Sequence, residues 1–484
     1  MTVTSTNNSV TSQDSAPLHY QDATSLATLI ATKQVSSREV VQAHLDRIAK
    51  VNPKVNAIVT LLAEDALRDA EAADKAVAAG AELGALHGVP FTIKDSLDTA
   101  GIPTQRGTKL FAGFLPDTDA TAVARFKAAG AIPLAKSNLP EFSGWTETDN
   151  LVTGRTNNPW NLDRTPGGSS GGESAAIASG MSPIGIGSDV AISVRGPAAF
   201  TGISALKASH GRIPYTGHFP RVTQGWWHIG PMARTVRDVA LGYDILSGPD
   251  GIDGYAIHGK DIDSASTRIP GQTIRVGWVS DDAFAPVDPE ITDAVTAAAV
   301  QLADLGCHVE QVAVPFLKEA DGLNTLQTFV YGELTPYIKA LAAGREDELS
   351  PAGAAKLAMR DPTFAQVLEA GTKREALRSA FAGYFQDYDV LLCPVTPVTA
   401  TPHGLLELVV NGVTVSWSHV MDATSPFNLT GLPALSVPYG FSSENLPIGI
   451  QLVSKWFNES TILRLGALLE RKGGLSDRRP PIAS

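Results

Sequence analysis

The chain has little of what staples a fold, spans a bilayer or grips nucleic acid. Only two cysteines, Cys307 and Cys393, occur among 484 residues. Two thiols build neither a disulfide scaffold nor a four-cysteine zinc site, and they suit a reducing compartment. No apolar run approaches the ~20 residues needed to cross a bilayer. The opening MTVTSTNNSVTSQDSAP has no basic segment followed by an apolar one. It reads as a polar, disordered leader over residues 1–17 rather than a secretory signal. Positive charge is in deficit: 38 Lys and Arg against 50 Asp and Glu leave a net charge of −12. Such a surface repels phosphate backbones on average. The ten histidines show no HxxxH or other metal-ligand spacing. These absences imply a cytoplasmic protein with no nucleic-acid or membrane partner, no metal and no cofactor.

Charged residues make up 18% of the chain and hydrophobic residues 43%, which argues against global disorder. A chain this long buries about three quarters of its unfolded surface without staples. Ser36-Ser37-Arg38-Glu39 is a capping box, followed by Val41, Leu45 and Ile48 at helical spacing, with Asn52-Pro53 as the stop. Helices are also expected over Ala63–Ala79, Asp119–Ala129, Ser174–Ser179, from Asp288-Pro289 to Gly306, and over Glu459–Arg471. Short apolar runs read as strands: Val89–Ile93, Ile132–Ala135, Ile184–Gly187, Ile274–Val279, Val309–Val314, Val390–Cys393, Leu435–Val437 and Ile448–Val453. This alternation implies an α/β fold: a large mixed, mostly parallel twisted sheet covered by helices on both faces. Residues 316–388 are helical in pattern and read as an insertion. No linker divides the chain, so residues 18–484 are expected to form one domain.

The densest feature is Thr165-Pro166-Gly167-Gly168-Ser169-Ser170-Gly171-Gly172-Glu173. A flexible linker is disfavoured by the small-residue helix that follows directly. A phosphate loop needs a lysine where Glu173 stands. A nucleophile elbow, G-x-S-x-G, matches with Ser169 or Ser170 at its centre, but an elbow follows a strand and the preceding residues are turn formers. That reading stays open as an esterase using a distant histidine base such as His403 or His419. The remaining reading needs partners from elsewhere. Lys94 ends the buried run VPFTI, where a dry site would lower its pKa and free an amine to take a proton. Ser193 lies in Gly187-Ser188-Asp189-Val190-Ala191-Ile192-Ser193-Val194-Arg195, where an Asp189–Arg195 ion pair would brace the turn and leave its N–H groups for an oxyanion.

Taken together, GVPFTIKD, GGSSGGE, GSDVAISVRGPAAFTGISALKASHGRIP, GPMARTVRD, FNLTGLPALSVPYG and PIGIQLV resemble the amidase signature family over roughly residues 20 to 470. The resemblance implies the amidase signature fold and a Ser-cisSer-Lys relay. Ser193 falls at the nucleophile, Ser169 at the bridging serine and Lys94 at the general base. The backbone of Val190, Ala191, Ile192 and Ser193 falls at the oxyanion hole, and Ser170 and Ser188, with Asp189 and Arg195, at supporting positions. Phe142-Ser143-Gly144-Trp145 resembles the loop beside the acyl site, and Trp226-Trp227 is expected to line the mouth. No histidine is then expected to be the base. The implied activity is hydrolysis of a C–N bond in small-molecule amides, with carbamates (as in urethanases of this family) and esters as further substrates and water as co-substrate. The family usually has Gly-Gly just before the nucleophile, where this chain has Ala191-Ile192. The extra bulk of Ile192 is expected to shape the substrate pocket. The departure also weakens the likeness to the amidotransferase subunits of the family, which usually keep the glycine pair; a partner-dependent amidotransferase subunit stays open as an alternative. The assembly is left open, a homodimer included.

Overall fold

The computed structural model describes residues 16–222, 225–258, 273–280, 283–473 and 478–483. The expected leader therefore lies almost wholly outside the described residues.

Among the described residues, eleven strands form one sheet. In spatial order they are Ile58–Leu61, Ile132–Ser137, Pro90–Lys94, Ile184–Asp189, His228–Ala233, Ser204–Lys207, Ala434–Phe441, Pro447–Ser454, Val390–Pro394, Arg275–Trp278 and His308–Gln311. The sheet is mixed and helix-covered as expected, but its parallel share is smaller than the alternation suggests. Parallel pairing is confined to the Ile132–Ser137, Pro90–Lys94 and Ile184–Asp189 group and to the Val390–Pro394, Arg275–Trp278 and His308–Gln311 group. Every other neighbouring pair is antiparallel. The middle of the sheet is built from returns and a hairpin, which need no crossover helix.

Strand alternation sorts side chains between two cores. Phe91, Ile93, Leu392, Leu435, Val437 and Leu452 join one cluster, with Phe126, Tyr243, Val295 and Leu465 from the covering helices. Leu391, Cys393, Ala434 and Val453 face the other way and meet Phe329, Phe381 and Phe427. Phe329 and Phe381 belong to the helical insertion, which consists of Pro315–Glu319, Gly322–Ala342, Pro351–Ala358 and Phe364–Asp387. The insertion thus seals a face of the sheet.

Local signals mostly hold. The Ser36–Glu39 capping box forms, and Asp288 caps its helix with Pro289 in the first turn. Pro53 does not stop its helix, which runs on to Val55. Val51 and Val55 are buried, and that burial outweighs the one hydrogen bond a late proline removes. The strands Ser204–Lys207 and His228–Ala233, the small hairpin Glu407–Val410 with Val413–Ser416, and the edge strand Ile58–Leu61 lacked a clear pattern in the sequence.

The helix Gly171–Ala178 is buried along its whole length and lies against the Pro90–Lys94 and Ile184–Asp189 strands. Close approach depends on Gly185: a Cβ there would lie 1.8 Å from Glu173 Oε1 and 2.8 Å from Thr92 Oγ1. Gly185→Ala should therefore destabilise the protein by about 1–3 kcal/mol, the usual cost of overpacking. Gly371, in a helix interior with open space around it, is the control. Gly371→Ala should raise stability by up to about 1 kcal/mol. Thermal unfolding of the two variants beside the parent reads both signs.

Candidate active site

Lys94, Ser137 and Ser188 stand at the C-terminal ends of three adjacent parallel strands, where open α/β sheets commonly place their ligands. Lys94 is completely buried. Its Nζ lies 2.7 Å from Ser169 Oγ, 3.0 Å from Ser188 Oγ and 3.3 Å from the Ser188 carbonyl oxygen. Burial lowers its pKa to about 7, against the raising pull of Asp189 and Glu173. Glu173 shares this dry space. It accepts from Ser137 Oγ at 2.6 Å and from Thr92 Oγ1, and burial raises its pKa to about 7. The amine therefore faces a carboxyl that is itself pushed toward neutrality.

Ser169 follows a cis peptide bond from Gly168. Gly168 packs on the backbone of Thr146 and Glu147, so closely that a Cβ would lie 2.8 Å from the Glu147 nitrogen. No strand precedes the serine pair; residues 165–167 are irregular and the helix begins at Gly171. The elbow reading fails on that ground. Ser170 is instead a brace: its Oγ donates to the Ser188 carbonyl at 3.2 Å, and its backbone N–H donates to the Ser193 carbonyl at 3.2 Å. His419 is held by Asp422 and the Pro286 carbonyl, and neither it nor His403 is hydrogen-bonded to Ser169 or Ser170.

The turn between Asp189 and the helix Arg195–Thr201 carries Ser193, which is 4% exposed. Asp189 and Arg195 pair with both side chains wholly buried. Arg195 Nε reaches Asp189 Oδ2 and Nη2 reaches Oδ1, each at 3.0 Å. Nη1 donates to Gln451 and to the Thr424 carbonyl, and Nη2 also donates to Ala191 O and Asn428 Oδ1. Asn428 Nδ2 returns a bond to Asp189 Oδ1 at 2.9 Å, and Val194 N–H donates to Oδ2 at 3.1 Å. The guanidinium holds the Asp189 carboxyl below the usual range despite burial, which raises it. With the turn pinned this way, the N–H groups of Val190, Ala191, Ile192 and Ser193 have no acceptor among the described residues. Four unpaired amides beside a serine hydroxyl are what an oxyanion requires.

Asn428, Gln451 and Thr424 were not singled out in the sequence, although FNLTGLPALSVPYG and PIGIQLV contain two of them. His218 was also missed. Its Nε2 lies 2.8 Å from Ser188 Oγ and its Nδ1 lies 2.8 Å from the Tyr215 hydroxyl. No local spacing marks it, because the loop that carries it is irregular.

Phe142 and Ser143 both adopt positive φ, 55° and 56°, a conformation that costs non-glycine residues roughly 1–3 kcal/mol each. Phe142 packs on Phe219, Ala342 and Leu349, and the Ser143 hydroxyl is buried without a partner among the described residues. Gly144 lies against Lys356, whose ammonium sits 5.7 Å from the Trp145 ring. The loop is thus docked on the helical insertion, with Trp145 on its exposed side. Trp226 and Trp227 are buried, share a core cluster with Ala191, and stack at 6.0 Å. They back the turn rather than line an open mouth.

Ile192 is 3% exposed and packs with Leu408, Val410, Trp417 and Val420 around the small hairpin. Its side chain also fills the space beside Gly196. Its surroundings are those of a packing residue, in place of the expected pocket wall. Ile192→Ala should cost about 2–5 kcal/mol of stability. The ratio of kcat/KM between small and bulky acyl substrates should stay unchanged, as thermal unfolding and paired kinetics on folded protein would show.

Fold and site together give a helix-covered mixed sheet with a buried Lys94–Ser169 hydrogen bond beside a turn of bare amides. The family model described as Amidase matches residues 39–463. One subunit of the glutamyl-tRNA(Gln) amidotransferase of Cyanothece sp. is 33% identical over 479 residues, covering 94% of this chain and 98% of that protein. The solved structure of 6-aminohexanoate cyclic dimer hydrolase is similar at 30% identity and a TM-score of 0.86, over 96% of this chain and 100% of that one. A bacterial aryl acylamidase of the amidase signature family is similar at 27% identity and a TM-score of 0.87, over 96% of this chain and 100% of that one. The chain belongs to the amidase signature family. It is an amide hydrolase or amidotransferase of that family, and none of its described helices is long and apolar enough to cross a membrane.

Proposed function

We propose that the chain, acting alone, hydrolyses the C–N bond of small or medium amides through an acyl-enzyme on Ser193. Carbamates and esters are further substrates, because all three pass through the same tetrahedral oxyanion. The observation that carries this reading is the buried Lys94 Nζ at 2.7 Å from Ser169 Oγ, with four unpaired amides on the neighbouring turn.

Lys94 acts as its neutral amine. It takes the Ser169 proton while Ser169 takes the Ser193 proton. Ser193 Oγ attacks the carbonyl carbon, and the N–H groups of residues 190–193 hold the oxygen as it becomes negative. The Lys94 ammonium then returns its proton through Ser169 to the departing nitrogen, since amines leave poorly as anions. Water deprotonated by the same relay attacks the acyl carbon and releases Ser193. Glu173 and Asp189 face Lys94, and both favour the ammonium once it forms.

The curated relatives support a second reading, a partner-dependent component of an amidotransferase. Ala191-Ile192 beside the nucleophile argues against it, and purified chain assayed alone on an anilide and an aryl carbamate decides. Turnover supports the hydrolase; a folded but inert chain supports the amidotransferase component.

Ser193→Ala should lower kcat by about 10⁴-fold or more while the protein stays folded, the loss expected of a nucleophile in such a relay. Retained turnover with a dead Ser170→Ala would reassign the nucleophile. The pH profile gives an independent check. Lys94 works unprotonated, so kcat/KM should fall as pH drops through about 7. Because Glu173 raises the Lys94 pKa, Glu173→Gln should move that acid limb to lower pH. A limb that stays in place, or moves upward, contradicts Lys94 as the titrating base.

A further inference from the structure

A neutral lysine has two N–H groups and one lone pair, and the relay works only if the lone pair faces Ser169. Three oxygens surround Lys94 Nζ: Ser169 Oγ, Ser188 Oγ and the Ser188 carbonyl. The carbonyl can only accept. Either hydroxyl can donate to the lone pair, so the direction of the Ser188 hydroxyl decides whether it competes with Ser169.

That direction is set by a chain of buried groups. Tyr215 donates its single hydroxyl proton to the Pro220 carbonyl. Its oxygen, 2.8 Å from His218 Nδ1, is left to accept, so Nδ1 carries the ring proton. Burial keeps the His218 pKa well below its ordinary value, and Lys94 lowers it further whenever it is protonated, so the ring is neutral and Nε2 bears a lone pair. Nε2 lies 2.8 Å from Ser188 Oγ, and the Ser188 hydroxyl must therefore donate to it. Ser188 Oγ is then an acceptor toward Lys94. Both amine protons go to Ser188, and the lone pair falls to Ser169. Trp227 packs on the His218 ring at 5.2 Å and Phe219 is buried, which holds the ring in place.

We propose that His218 is a positioning residue: through Ser188 it aims the lone pair of Lys94 at Ser169, with Tyr215 fixing the His218 tautomer. This rests on Lys94 as base and Ser193 as nucleophile. Without the Nε2 acceptor, the Ser188 hydroxyl is free to turn onto the Lys94 lone pair and occupy it. Charged groups facing these residues are Asp189 and Glu173 toward Lys94, Arg106 together with Lys94 toward His218, and Glu333, Arg221 and Asp253 toward Tyr215.

The test is a double-mutant cycle on purified full-length protein with an anilide substrate. His218→Phe should lower kcat by about 10- to 100-fold, the order of loss typical when a hydrogen-bond partner that orients a metal-ligating side chain is removed, with KM changed little. His218→Gln, whose amide oxygen can reach the Nε2 position, should recover part of the loss. In a Ser188→Ala background, His218→Phe should cost nothing more, because the hydroxyl it directs is gone. An unchanged kcat in His218→Phe, or an equal loss with and without the Ser188 hydroxyl, overturns the positioning role. Where His218→Phe does not fold, His218→Asn, one carbon shorter than glutamine, takes its place against His218→Gln. Lys94→Ala is run alongside. Turnover surviving Lys94→Ala removes the relay and the positioning role with it. Turnover that dies with Lys94→Ala but ignores His218→Phe removes the positioning role alone.

Discussion

The buried pair of Asp189 and Arg195 is the constraint on which the rest of the site depends. Removing two such charges from water costs several kcal/mol per ion, and the loss is offset only when the remaining hydrogen-bond capacity is filled. Here it is filled from three separate parts of the chain: the turn itself, Asn428 with Thr424, and Gln451 of a sheet strand. The pair consequently ties the turn to two distant segments. It also bears on the lysine. Asp189, while paired with Arg195, still favours the ammonium form of Lys94, as Glu173 does. Desolvation of Lys94 nevertheless prevails, and its pKa falls to about 7.

Around that pair the site is made narrow by small residues. Gly185 gives room to the Glu173 carboxylate, Gly172 lies against the Asn138 backbone, and Gly168 lies against Thr146 and Glu147. Each is a position where an added carbon would enter another residue's volume. The helix Gly171–Ala178 can thus bring Ser169 and Ser170 down onto the strand ends. The departure at Ala191-Ile192 is absorbed differently on its two sides. Ala191 joins the apolar cluster that also holds Trp226 and Trp227, while Ile192 joins the one around the Glu407–Ser416 hairpin. Backbone donors remain bare because the added side chains find apolar partners on either flank.

The helical insertion grips the loop that carries Phe142 and Ser143. Its residues pack on Phe142, and Glu141 accepts from Ser350 backbone and hydroxyl at 3.0 and 2.6 Å. The loop with two positive-φ residues is therefore held from outside the sheet.

Much of this was legible in the linear order of residues. Capping at Ser36 and Asp288, the strand that ends in Lys94, and the partnership of GGSSGGE with GSDVAISVRG are local or motif-level features, and local chemistry suffices to mark them. The Asp189–Arg195 pair could be anticipated because both members sit on one short turn. Other features needed the fold. The balance of parallel and antiparallel pairing depends on which strands return beside which, and short strands such as Ser204–Lys207 carry no period of their own. Asn428, Gln451 and His218 reach the site from segments far apart in sequence, and no spacing rule connects them. The same holds for Ile192: its residue type announces bulk, but only the position of a hairpin more than two hundred residues later makes that bulk part of a core. Burial decides pKa, hydrogen-bond direction and packing, and burial is a property of neighbours that the chain acquires only on folding.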